Sequence, residues 1–482
     1  MISSYALIYL LGYAVPAFVG FFALIVYTHL LSPAEYGLYV VGSGIAALAT
    51  TLCFTWVRQS VSRYQASSPD IDLRPEATVA YGWTVGVIAC LAPIVLFIAQ
   101  FVAPSNIGSG VLAASLFLSV SLGAFEVSQE FKRARFHPFL FMAIATIRSL
   151  SGLGLGYAVI KLGGGGLGLL AAVAASFWIG NALSFATNSR ALSRRASLEH
   201  IRQFMRYGLP FTFGALAFGL HSVLDRLGVA FMLGQSGAGY YGLAAEISRH
   251  LIGVLAASVS SALFPIAFRS LAESGAGATR ERLKEGAELL LAVVAPVAAW
   301  LAISADVVTG TLLSPEFGTA VAALVPILAV AGICGAVNQY YIQVSFQLAE
   351  KPLLQVVHDV WILAANTALL FPLTRAFGLS GAAMAILIAE GFGIFVGIWL
   401  SRRAFKLPFN TSGMLRVLAS VAIMALFTYA AKAGLSDHGL LALISVAATG
   451  GVAYACAALM CDLAGIRSTF SSFVWPRQVP AE

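Results

Sequence analysis

Apolar runs of 20 residues or more recur from Tyr5 to Leu463 with only short polar breaks between them. Each is long enough to cross a hydrocarbon core about 30 Å thick as a helix. A chain with so many such runs folds as an all-α integral membrane bundle, because a spanning segment must satisfy its own backbone hydrogen bonds. Composition points the same way: 10% of the 482 residues are charged, against roughly 25% in a soluble domain. The first apolar run is far longer than the core of a signal peptide and has no basic stretch before it, so it reads as a retained helix. Cys53, Cys90, Cys334, Cys456 and Cys461 lie in apolar segments without metal-ligand spacing and read as reduced core residues.

Breaks at Gly, Pro, Ser and charged clusters divide the apolar sequence into fourteen spans. They run Tyr5–Leu31, Leu38–Val57, Val79–Val102, Gly108–Glu130, Pro138–Ile160, Gly166–Asn188 and Gly208–Leu233. Then follow Leu243–Phe268, Gly286–Gly310, Ala320–Phe346, Leu354–Thr374, Gly378–Ser401, Gly413–Ala433 and Gly439–Leu463. Short cytoplasmic loops retain positive charge, so the lysines and arginines test the count. Alternate loops carry them: Arg58, Arg63 and Arg74; Lys132, Arg133 and Arg135; Arg190 to Arg206; Arg269 to Lys284; Lys351; Arg402 to Arg416; and Arg467 with Arg477 in the tail. The opposite loops hold Lys161, Arg375 and Lys432. This alternation expects both termini in the cytoplasm, Arg133 and Arg282 inside, and Ile107 and Ser236 outside.

The first span ends in Leu31-Ser32-Pro33-Ala34-Glu35-Tyr36-Gly37, and the seventh in Leu233-Gly234-Gln235-Ser236-Gly237-Ala238-Gly239-Tyr240-Tyr241, at an offset of 202 residues. An offset of six spans preserves orientation, so the pattern expects two parallel-duplicated six-helix lobes around a central cavity. The lobes are 1–188 and 208–403, joined by a basic cytoplasmic linker at 189–207. Two additional helices and a short tail occupy 404–482. The same hairpin residues, with Asp225-Arg226 late in the seventh span, resemble bacterial polysaccharide transporters. More narrowly, the chain is similar to O-antigen and exopolysaccharide repeat-unit flippases, in the superfamily that includes multidrug and toxic-compound extrusion proteins.

That resemblance implies alternating access and movement of an undecaprenyl-diphosphate-linked oligosaccharide from the inner to the outer leaflet of the bacterial plasma membrane. It implies membrane lipids, a polysaccharide polymerase and export machinery as partners, no nucleic acid and no cofactor. Enzyme readings find little support in the residues. The chain has neither G-x-x-x-x-G-K-[ST] nor H-E-x-x-H, and loops of this length leave no room for an extramembrane catalytic domain. The alternatives are a cation-coupled small-molecule or drug exporter on the same scaffold and a membrane-embedded polysaccharide polymerase.

Ionisable residues inside spans carry the functional information, since each is costly in hydrocarbon. Arg148 falls near the middle of span five; Asp225 and Arg226 are late in span seven; Glu246, Arg249 and His250 are early in span eight. Arg148, Arg226 and Arg249 offer permanent, bidentate positive charge to a diphosphate. Equally, Asp225 and Glu246 can neutralise these arginines as structural ion pairs, with His221 one turn from Asp225. At the repeat offset the first lobe has Leu24 and Ala47 where the second has Arg226 and Arg249, so a lobe folds without that charge. Asp359, beside His358, and Glu390 are candidates for a coupling ion or for charge balance. Glu126 and Glu130 read as interfacial partners of Lys132 and Arg133, Asn338 and Gln339 as interhelical hydrogen-bonding groups, and Trp56 and Trp399 as interfacial anchors. The stretch from Arg194 to Arg206, interleaved with Ile201, Phe204 and Met205, reads as an amphipathic linker on the anionic leaflet. Internal cations favour an anionic substrate over a cationic drug.

Overall fold

The computed structural model describes residues 2–67, 71–102, 108–187, 196–434 and 439–463, is 92% helical, and has no strand among the described residues. Its helices are α1 (Ile2–Thr28), α2 (Pro33–Ser67), α3 (Arg74–Val102), α4 (Ser109–Ala134), α5 (Pro138–Lys161), α6 (Gly165–Thr187) and α7 (Leu198–Ile303). These are followed by α8 (Ala305–Leu312), α9 (Pro315–Val337), a π-helical turn (Asn338–Ile342), α10 (Gln343–Leu348), α11 (Pro352–Ser401), α12 (Thr411–Ala433) and α13 (Leu440–Met460).

Among the described residues, twelve stretches are long and apolar enough to cross a membrane. Two are too long for one crossing, Gly219–Ser261 with 43 residues and Pro352–Ser401 with 50; at 1.5 Å per residue each is about twice the thickness of the hydrocarbon core. Each contains a glycine in backbone that other residues rarely adopt, Gly234 at φ 76° and Gly378 at φ 59°. Such a residue ends an α-helix and lets the chain turn. Counted as pairs, these two stretches bring the twelve to the fourteen spans that the sequence suggests. A further break in α7 falls at Gly275, φ 77°. Ile107, Arg190, Arg194, Arg195, Arg467 and Arg477 lie outside the described residues.

Helix α2 begins earlier than hydropathy alone implies because Ser32-Pro33-Ala34-Glu35 is a capping box. The Glu35 backbone N–H donates to Ser32 Oγ at 3.4 Å, the Ser32 N–H donates to Glu35 Oε2 at 3.3 Å, and proline occupies the first helical position. Its polar end stays helical beyond Val57 through tertiary partners: Arg58 pairs with Glu126 at 2.9 Å, and Ser60 donates to the Phe204 carbonyl at 2.9 Å.

Packing divides the chain into two compact units, Met1–Leu243 and Ala244–Glu482. In the first, α2 packs on α4 and α6, α5 on α1 and α6, and the opening third of α7 lies antiparallel along α2. Gly208 sits against the Trp56 main chain, Gly219 against Leu48 and Thr51, and Gly44 against Val223. Val41 and Ala230 then close the apolar seam with Ala238. The repeat offset places the lobe boundary at the linker, whereas packing groups residues 208–243 with the first unit because they follow α2 along its length.

The two hairpins that suggested the repeat meet each other within this unit. A Cβ on Gly37 would strike the Gln235 carbonyl and come 2.8 Å from the Gly239 nitrogen; a Cβ on Gly239 would strike the Pro33 carbonyl and come 3.1 Å from the Gly37 nitrogen. Pro33 and Gln235, like Gly37 and Gly239, are mates at the 202-residue offset, so the contact is reciprocal. One turn on, Gly242 faces Val40, again its own mate.

Two expectations are corrected at the other end of α2. Ile201 and Phe204 do not lie on the leaflet: they are buried, and Phe204 packs with Val57, Val61, Leu73 and Ala77. Trp56 belongs to the same cluster and is no interfacial anchor, because Gly208 brings α7 onto its main chain. Met205 remains exposed, and Trp399 is exposed with the Arg403 guanidinium 4.7 Å from its ring centre.

In the second unit α9 packs on α11, and α12 on α13. Glu288 ties the last part of α7 to α12, accepting from Asn410 Nδ2 at 2.8 Å and Arg416 Nη2 at 3.1 Å. Lys432, at the opposite end of α12, pairs with Asp306 at 2.6 Å and donates to the Ile303 carbonyl at 2.9 Å.

Candidate functional site

The sequence-derived candidates fall into separate settings. Arg148, midway along α5, has its guanidinium 3.5 Å from the centre of the Phe177 ring on α6. Its Nε is shielded from solvent without a hydrogen-bond partner, and no carboxylate pairs with it among the described residues. Gly180, one turn beyond Phe177, makes the close approach possible: a Cβ there would lie 3.3 Å from Arg148 Cβ. The neighbouring polar groups are phenols. Tyr27 spends its hydroxyl on the Gly152 carbonyl at 3.1 Å, and its ring lies 6.4 Å from that of Tyr39. Arg148 therefore lies inside the helix bundle of the first unit against an aromatic face, with no acid paired to it among the described residues.

The other two arginines differ. Arg226 lies along α2, its Cδ 3.9 Å from where a Cβ on Gly44 would sit, and the adjacent Asp225 is buried and accepts a hydrogen bond from the Tyr241 hydroxyl at 2.9 Å. Arg249 pairs with Glu246, which also holds His250 Nδ1 at 3.2 Å. Glu246 thus serves both the i+3 and the i+4 partner on one helix face, while the Arg249 side chain remains 59% exposed.

The remaining acids sit in a buried polar chain of the second unit. Asp359 accepts from Gln343 Nε2 at 3.0 Å and lies 3.4 Å from His358 Nδ1; Gln355 in turn donates to Gln343 Oε1 at 3.0 Å. His358 is fully buried with its Nε2 at 3.0 Å from the Gly393 carbonyl. Asn338, the first residue of the π-helical turn, donates through Nδ2 to Glu390 Oε2 at 2.6 Å and to the Glu390 carbonyl at 2.9 Å. The amide pair Gln343 and Gln355 gave no sign in the sequence, since only the fold brings α10 against α11.

Glu126 and Glu130 face different partners from those expected for one of them. Glu130 takes Arg133 at 2.7 Å, but Glu126 takes Arg58 from α2, and Lys132 turns away to Ser184 Oγ at 2.8 Å, where it is 2% exposed. Among the described residues no group of three or more His, Cys, Asp or Glu forms a metal cage.

No curated protein matches the chain. Solved structures do, at the level of fold. The lipid II flippase MurJ in an inward closed conformation superposes with a TM-score of 0.77 at 12% identity, covering 96% of this chain and 100% of that one. An inward-facing multidrug resistance MATE family transporter of the MOP superfamily gives 0.62 at 14% identity, over 82% of this chain and 97% of that one. A MOP superfamily transporter from Pyrococcus furiosus Vc1 (DSM3638), whose structure is described by the reverse polarity of its binding pocket, gives 0.57 at 14% identity over 82% and 93%. The fold is that of these multi-pass transporters, and the sequence itself is matched over residues 26–322 by the family of polysaccharide biosynthesis proteins. With most of its length matched, the chain belongs to the polysaccharide biosynthesis protein family.

Proposed function

We propose that this protein is a flippase, not an enzyme, that carries an undecaprenyl-diphosphate-linked oligosaccharide from the inner to the outer leaflet of the plasma membrane for surface polysaccharide synthesis. The observation that carries the reading is Arg148, a guanidinium held inside the bundle on Phe177 with no acid against it among the described residues. A cation kept uncompensated in a low-dielectric setting lowers the energy of an anion that comes near and raises that of a cation, which favours a diphosphate over a cationic drug. Membership of a polysaccharide biosynthesis family supports the glycan, and a fold shared with a lipid II flippase supports a lipid-linked one.

In this reading residues 1–188 and 208–403 form two lobes that alternate access to a central cavity, both termini are cytoplasmic, and a polymerase takes the flipped product. Arg226 and Arg249 assist Arg148 with the diphosphate; Asp225 and Glu246 balance their charge, and Asp359 and Glu390 respond to the coupling ion. The test is export of surface glycan with parallel measurement of membrane abundance. Arg148→Ala is expected to cut export by tenfold or more, the size of roughly one charged hydrogen bond or more, with abundance near wild type; Arg148→Lys keeps the charge but loses the fork and the stacking, and recovers part of the export. Full export by Arg148→Ala at normal abundance would overturn the assignment.

A further inference from the structure

A cavity of about 520 Å³ lies inside the first unit, walled by α1, α2, α4 and α5, within the range of small-ligand sites. Two cations and two anions line it, Arg58 and Arg133 with Glu126 and Glu130. Arg58 Nη1 meets Glu126 Oε2 at 2.9 Å and Arg133 Nη2 meets Glu130 Oε1 at 2.7 Å. Each pair spends one oxygen of a carboxylate, and Arg133 also hydrogen-bonds to Tyr13; both signs still retain unspent hydrogen-bonding capacity. Between them stands Gln129, which is 6% exposed. Its amide is oriented by donation from Nε2 to the Phe141 carbonyl at 3.2 Å, leaving Oε1 buried without a hydrogen-bond partner.

These features discriminate among ligands. A diphosphate meets two carboxylates and no net positive charge. A lone cation finds both carboxylates already holding guanidinium groups. A group with phosphate and ammonium side by side satisfies both signs at once, and only an ammonium with its own N–H can donate to the unspent carboxylate oxygens. Pro16, Phe125 and Phe141 supply apolar wall, and α1 and α5 expose Phe18 and Phe139 nearby in sequence, surface suited to acyl chains.

We infer that this cavity takes the headgroup of a zwitterionic phospholipid bearing a primary amine, with its phosphate on Arg58 and Arg133 and its ammonium between Glu126 and Glu130. The cavity adjoins the proposed diphosphate site, but Arg148 is not among its lining residues. Phe125 lines the cavity and lies edge-on to Phe177, ring centres 5.4 Å apart, and Arg148 stacks on Phe177.

The test is native mass spectrometry of the purified full chain in detergent, titrated with phosphatidylethanolamine, phosphatidylcholine or phosphatidylglycerol. Wild-type protein is expected to retain phosphatidylethanolamine roughly tenfold more tightly than either of the others, the size of one charged hydrogen bond. Glu126→Gln/Glu130→Gln removes the anionic side of the cavity and is expected to lose the preference for ethanolamine over choline while gaining phosphatidylglycerol. Equal retention of the ethanolamine and choline lipids by wild type overturns the proposal, whether or not the double variant folds. An unchanged preference in a folded double variant overturns it too, and displacement of the lipid by equimolar O-phosphoethanolamine would assign the cavity to a soluble zwitterion instead. Lipid retention is measured without transport, so this outcome is independent of the flippase reading.

Discussion

Among single residues, context separates side chains that the sequence presents alike. Arg148, Arg226 and Arg249 all read as arginines inside spans, but Glu246 engages Arg249, whereas Arg148 has an aromatic face and no acid among the described residues. Spacing reveals the first, because i and i+3 share a helix face; nothing in the sequence reveals Phe177, which comes from another helix. Lys132 is the converse case. It looks like an interfacial lysine beside two glutamates, yet it is buried against Ser184 because α4 turns that face toward α6. Outside the spans, Asp72 joins two arginines, Arg74 Nη2 and Arg135 Nη2, each at 2.6 Å. Burial opposes its charge, but hydrogen bonds from Arg74 and the charges of Arg135 and Arg74 outweigh that and hold its carboxyl below the usual value. A depressed carboxyl pKa contributes stability above its unfolded value, near 3.9, and loses it as pH falls through the folded value. Asp72→Asn is therefore expected to lower stability at neutral pH by about 1 kcal/mol, with the gap to wild type closing below about pH 4 in thermal melts of the detergent-solubilised protein. A gap that persists unchanged at pH 3 would sink this account.

At the level of elements, hydropathy and punctuation locate the helices well, because each span must be apolar over its whole length and each turn needs residues that end a helix. Gly378 carries its structural meaning openly, whereas hydropathy starts the second span at Leu38 and the helix begins at Pro33, behind the Ser32-Pro33-Ala34-Glu35 capping box. The amphipathic pattern of Ile201, Phe204 and Met205 is equally clear, but whether protein or lipid covers its apolar side is a tertiary matter, and here α2 and α3 do. The glycines likewise look interchangeable in sequence and are not. Gly37 faces main chain so closely that a methyl group overlaps it, whereas a Cβ on Gly154 of α5 would meet nothing within 4 Å. Gly37→Ala is expected to cost about 1–3 kcal/mol by overpacking, and Gly154→Ala to be neutral or stabilising by up to about 1 kcal/mol, as helix propensity dictates. Comparing the two variants in thermal unfolding or membrane abundance checks this, and equal behaviour would remove the close contact from consideration.

For the whole molecule, the alternation of charged loops fixes an expected sidedness. Single cysteines introduced in a cysteine-free background should be labelled from the cytoplasmic side at position 282 and from the outside at position 236; the reverse pattern refutes the topology. Hydropathy reached the spans, since they are written in one dimension, and the 202-residue offset is what motivates the duplication. The sequence could not show that the duplicated hairpins would touch through corresponding residues. That contact has the logic of a twofold homodimer, in which a residue of one subunit meets its counterpart and the relation holds in reverse. Here a single chain carries both hairpins, and they meet at this crossing. A side chain gained by Gly37 collides with the second copy's backbone, and one gained by Gly239 collides with the first copy's. No change in a neighbouring side chain can relieve a clash with main chain, so the two positions are constrained as one.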